Sequence, residues 1–122
     1  MPGMRLTIAL TVLAATLAAL TPGAAAGPVA TAAAKKCGVG DSRSYGTTYV
    51  LTIHVSGTSC RNGRKLIRAY HACRPGKAGK CPGVKGYSCS ERRYNKSKTS
   101  YDSDVTCRKS GKTVKHTYTQ FI

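Results

Sequence analysis

Residues 47–73 read TTYVLTIHVSGTSCRNGRKLIRAYHAC, and two periodicities meet within them. The first half alternates, with Tyr49, Leu51, Ile53 and Val55 on one side and Val50, Thr52 and His54 on the other, which predicts a half-buried strand. Thr58 or Ser59 then stands where a helix cap belongs, and Leu66, Ile67, Tyr70 and Cys73 follow at i, i+1, i+4 and i+7. The segment therefore predicts a strand feeding an amphipathic helix, which ends at about Cys73 because Pro75 and Gly76 come next. Arg61, Arg64, Lys65 and Arg68 fall on the helix side opposite the apolar stripe, three and four residues apart. Like charges at that spacing cost a few tenths of a kcal/mol per pair, roughly, and no acid on the helix offsets them.

Outward from this unit, residues 74–85 carry two Pro, three Gly and four basic residues, the composition of a loop held by Cys73 and Cys81. From Gly86 the period returns to two, Tyr87 and Cys89 alternating with Ser88, Ser90 and Arg92. The stretch YNKSKTSYDS, residues 94–103, reads as a polar loop, with Asp102 and Asp104 as turn formers. DVTCRK and TVKHTYTQF then give two strands joined around Ser110-Gly111. The order is β-α-β-β-β. It predicts a small, disulfide-stapled α+β domain with one helix packed on a mostly antiparallel four-stranded sheet.

Toward the N-terminus, Arg5 precedes an uncharged apolar run from Leu6 to Leu20, 15 residues, which is short for a membrane span. Thr21-Pro22-Gly23 and the small residues Ala24–Ala26 after it complete a signal-peptide pattern, with cleavage expected after Ala26 and Ala34 as the alternative. Residues 1–26 are thus expected to be a signal peptide, 27–36 a disordered Ala/Pro-rich mature start, and 37–122 a single disulfide-stapled basic domain. Cys37 lies too far beyond the apolar run for a lipoprotein, so the product is expected to be secreted.

The mature chain retains 19 of the 20 Lys and Arg against all four acids, a net charge of +15. A chain this small buries a modest core and needs outside support. All six cysteines lie after the signal, and an even count in an oxidising compartment predicts three disulfides. With the helix running from one end of the sheet to the other and the strands alternating in direction, the expected pairs are Cys60–Cys89, Cys73–Cys81 and Cys37–Cys107. No Cys-x-x-Cys is present and the histidines do not fall at zinc-finger spacing, so no metal or cofactor is expected.

The strand before TSC, the LIRAY helix, the GYSC strand and the closing VTCRKSGKTVKHTY hairpin together resemble a group of small exported actinobacterial proteins of unknown function. In that pattern a helix-opening Cys is followed by a Gly-Tyr/Trp-x-Cys strand and a V-x-C-x-x-G hairpin. The similarity covers residues 50–118, and its motifs are structural cysteines, a turn glycine and core aromatics. It implies a scaffold and no activity. Gly63 stands where such a helix would carry Ala, and Cys73 with Cys81 is an added pair.

Candidate chemistry is sparse. His54, His71 and His116 are the side chains suited to acid-base work near neutrality, and a ribonuclease-like site would need two of them facing one phosphate. No nucleophile motif is present, and four acids give little scope for carboxylate catalysis. A non-enzymatic role is expected. Arg92, Arg93, Tyr94, Lys96 and Lys98, with Tyr101 beyond them, interleave basic and aromatic residues, as do surfaces that hold single-stranded nucleic acid or sugar rings. Together with Arg61, Arg64, Lys65 and Arg68 they make the expected ligand-binding set for anionic polymers: cell-wall polymer, nucleic acid or acidic surfaces. A secreted inhibitor or antimicrobial effector is the alternative. A monomer is expected, and membrane insertion is not, because the helix spends its apolar face on the core.

Overall fold

The computed structural model describes residues 33–46 and 48–122; the expected signal peptide, with its cleavage after Ala26, lies outside them. The chain runs β1 (Lys35–Cys37), β2 (Tyr49–Ser56), α1 (Cys60–Cys73), β3 (Gly83–Val84), β4 (Tyr87–Tyr94), β5 (Ser100–Lys109) and β6 (Lys112–Phe121). All strand pairs are antiparallel, in the order β1-β2-β6-β5-β4-β3, and α1 packs on one face. The α+β class and the helix on an antiparallel sheet are as expected, but among the described residues the sheet has six strands rather than four. The two additional strands are edges of three and two residues, too short to show a period. β1 takes in Lys35 and Lys36, which belong to the stretch expected to be disordered.

Helix α1 keeps its expected ends. Ser59 caps it, its hydroxyl accepting from the Asn62 amide at 3.1 Å, and Arg74 adopts extended backbone just before Pro75. Leu66, Ile67 and Tyr70 are buried, and so is Gly63. A Cβ at Gly63 would lie 2.5 Å from Cγ1 of Val55 on β2, so the glycine is what lets helix and sheet approach, and Ala there would clash. The core joins this stripe to Val50, Ile53, Val55, Val105, Val114 and Tyr118.

Three expectations about the strands are corrected. The β2 register shifts between Val50 and Thr52, so Val50 turns inward and Leu51 is 52% exposed, the reverse of plain alternation. β5 begins at Ser100, so only residues 95–99 form the loop, and Asp102 and Asp104 are strand residues rather than turn formers. The Ser110-Gly111 hairpin is as expected, Gly111 taking φ +73°.

The disulfides are Cys37–Cys60, Cys73–Cys81 and Cys89–Cys107, so only the second expected pair is correct. The error lies in strand direction. The unrecognised strand β1 doubles back along β2, placing Cys37 opposite Ile53 near the start of the helix. Residues 74–86 return the chain across the sheet, so β4 starts beside β5's end and Cys89 faces Cys107 in register, with 4.1 Å between their Cα atoms.

Candidate functional site

Register sorts the side chains of the long strands onto two faces. Under the helix, Glu91 and Arg93 of β4 share the inner face with Cys89, and Tyr101 and Ser103 of β5 share it with Val105. Glu91 accepts from the Tyr70 hydroxyl at 2.9 Å, from the Tyr118 hydroxyl, and from Nε of Arg93 at 2.5 Å. Burial pushes the pKa of both tyrosines up, and hydrogen bonding to Glu91 and its negative charge add to the rise, so each stays a hydroxyl donor. Arg93 also donates to the Ala78 and Gly79 carbonyls at 2.8 Å and lies over Tyr101. It holds the 74–82 loop against the sheet, and Tyr101 is 6% exposed. Both residues are therefore removed from the expected ligand-binding surface.

His71 at the helix end and His116 on β6 meet with their Nε2 atoms 3.0 Å apart. The proton positions follow from Arg74, whose guanidinium can only donate and lies 3.1 Å from Nδ1 of His71. His71 therefore carries its proton on Nε2 and donates to His116, whose own proton is left on Nδ1, a buried atom without a partner among the described residues. Burial and then the Arg74 charge push His71 down to about 3, and burial with the His71 and Arg74 charges lowers His116 well below its ordinary value. Two histidines do converge, but ring nitrogen to ring nitrogen inside the core and neutral, an arrangement that leaves no place for a phosphate between them.

The helix cations divide. Nη1 of Arg64 donates to the Gly38 carbonyl at 3.1 Å, and Arg68 donates to the Ser44 carbonyl at 3.4 Å while lying over Tyr45, so these two tie down residues 38–45. Arg61 and Lys65 are exposed, as are Lys96 and Lys98 in the 95–99 loop. Arg92 is exposed but pairs with Asp104 at 3.3 Å and lies over Tyr94, whose hydroxyl donates to the same carboxylate at 3.2 Å.

Among the described residues no helix covers the outer face of the sheet, and register makes that face asymmetric. On one side Asp102 and Asp104 accept from Asn95, Thr119, Thr117, Tyr94 and Arg92. On the other, Lys36, His54 and Lys115 stand directly opposite one another across β1, β2 and β6. Arg108 of β5 lies one row further, opposite Thr113. Neighbouring side chains in such a row are about 5 Å apart, so Lys36 and Lys115 stand two strands apart with His54 between them, and Arg108 lies diagonal to Lys115. Among the described residues none of Lys36, Lys115 and Arg108 has an ion-pair partner, the salt bridges being Arg92–Asp104 and Arg93–Glu91. A groove of about 300 Å³ runs between Ala34, His54, Ser56, Arg108, Thr113 and Lys115. Sequence reasoning missed this set because its members lie on four strands whose order no local signal reports. The outward parity of His54 and Lys115 within their own strands was the one available hint.

Among the described residues no helix is long and apolar enough to cross a membrane, and three disulfides fit an oxidising compartment. Compared with protein-family models, with curated proteins and with solved structures, the chain matches none.

Proposed function

We propose that this is a secreted, non-enzymatic domain that associates with anionic polymers through the open face of its sheet. The observation that carries the reading is the row Lys36, His54 and Lys115 with Arg108 beside it, whose cations form no ion pair among the described residues even though Asp104 lines the groove on the other side of Lys115. Cations gathered on one face without a paired acid raise its positive potential, and a polyanion lying across the strands would neutralise them. The cations Arg61, Lys65, Lys96 and Lys98 add to the surrounding field. The row is flanked by Ser56, Thr52, Thr106, Thr113 and Thr117 rather than by aromatic rings, which favours a polymer recognised by its charge over one recognised by base stacking.

The test is binding of a labelled polyphosphate, measured by fluorescence anisotropy over a range of salt. Replacing Lys36, Lys115 and Arg108 together with Glu should weaken binding tenfold or more and reduce the salt slope by roughly 0.9 per lost contact. The control reverses Arg61, Lys65 and Lys98. An equal loss in that control would mean that net charge alone drives association and that the sheet face is no site.

A further inference from the structure

Where helix α1 ends, Thr48, His71, Arg74, Gly76, Lys77 and Gln120 line a cavity of about 260 Å³, with exposed Gly76 and Lys77 at its mouth. Among the described residues, the fold leaves one of its groups without a hydrogen-bond partner and another without a counter-charge. Thr48 is 2% exposed, yet its hydroxyl has no hydrogen-bond partner among them. Arg74 is 8% exposed, and its guanidinium meets only neutral acceptors. These are the carbonyls of Gly79 at 2.9 Å and Lys77 at 2.6 Å, the Tyr101 hydroxyl at 2.7 Å, Nδ1 of His71 at 3.1 Å and Oε1 of Gln120 at 3.3 Å. The buried carboxylate of Glu91 is already bonded to Arg93. A buried cation without a counter-charge is costly, and so is a buried hydroxyl without a partner.

We propose that this cavity binds a small oxyanion, a single carboxylate or phosphate group. The ionised oxygens of such a group only accept. Thr48 supplies an idle hydroxyl donor, and Arg74 supplies the charge together with an Nη1 donor released from the long Gln120 contact. Lys77 adds a second cation at the entrance. The volume lies below the roughly 300–1,000 Å³ of sites for drug-sized ligands, so it suits one anionic group with its water rather than a nucleoside or sugar. That group is either a free anion or the exposed end of a longer chain. The site shares no residue with the sheet-face row, so the two stand or fall separately.

The experiment is a titration of the isotope-labelled oxidised protein, followed by amide NMR at constant ionic strength, with sodium phosphate, glycerol phosphate and sodium chloride. Both phosphates should give saturable shifts at Thr48, His71, Gly76, Lys77 and Gln120, and chloride should not. Tighter binding of inorganic phosphate identifies a free anion, and tighter binding of the monoester an end group. Thr48→Val should weaken phosphate binding about tenfold or more while raising the anion-free Tm, because it removes both the donor and an unsatisfied buried hydroxyl. Reversal of Lys36, Lys115 and Arg108 should leave the titration unchanged. Absence of saturable shifts at the cavity in the wild-type protein overturns the proposal, whether or not the variant folds. So do equal phosphate affinity in Thr48→Val and shifts confined to the exposed lysines and arginines.

Discussion

Lowering the pH from 7 to 5 should destabilise this protein by about 2 kcal/mol through His71, with His116 adding in the same direction. Both imidazoles are neutral in the fold, half-buried His71 being held down to about 3 and buried His116 well below the ordinary value of 6.5. In the unfolded chain each regains that ordinary value. A group whose folded pKa is depressed contributes stability that is fully present above the unfolded value and is lost as pH falls toward the folded one. The unfolded chain takes up protons that the fold refuses, and stability falls by up to about 1.4 kcal/mol per pH unit for each group. Integrated from pH 7 to 5, this is about 2 kcal/mol for His71. The window ends above the range in which carboxylates protonate, so the effect belongs to histidine. Guanidinium melts of the oxidised protein at half-unit pH intervals should show the midpoint falling with an unchanged m-value. NMR should find that neither ring titrates in the folded protein between pH 8 and 5. A flat stability profile, or a His116 resonance that titrates in the folded state, would refute the tautomer and burial argument.

Gly63→Ala should cost about 1–3 kcal/mol, although alanine is the better helix former, because its methyl would sit 2.5 Å from Val55. Thermal melts of a double-mutant cycle with Val55→Ala should show the two changes costing less together than the sum of each alone. Glu91→Gln should cost about 3 kcal/mol in denaturant melts, since it leaves Arg93 nearly buried with no counter-charge; a loss within experimental error would mean the pair is not closed in solution. Non-reducing peptide mapping should recover Cys37 joined to Cys60 and Cys89 joined to Cys107, and a Cys60–Cys89 peptide would disprove the β4–β5 register. Replacing Cys89 and Cys107 together by Ala should cost about 3 kcal/mol, seen as a lower guanidinium midpoint.

What the sequence determined by itself is what neighbours along the chain decide. The helix was legible to within a residue because its signals act over three or four positions: the Ser59 cap, the Leu66–Ile67–Tyr70 stripe and the stop at Pro75. The β5–β6 hairpin was legible through Gly111, and the Cys73–Cys81 bridge through its short loop. Everything that depends on which strand lies beside which had to wait for the tertiary structure. β1 and β3 are strands only because β2 and β4 give their backbones partners, and Ser100–Ser103 joins β5 because β6 continues opposite it. The bulge at Leu51 is a property of the β2–β6 pair and leaves no mark in the alternation of β2. For the same reason the sequence announced a strongly basic chain but not where its charge concentrates. Lys36, His54 and Lys115 are separated by 18 and 61 residues and become neighbours only across hydrogen-bonded strands, while Arg93 is drawn inside by Glu91, two residues before it on the same strand. A side chain's charge is set locally, but its neighbours are chosen by strand order, and strand order is fixed only when the whole sheet closes over its core.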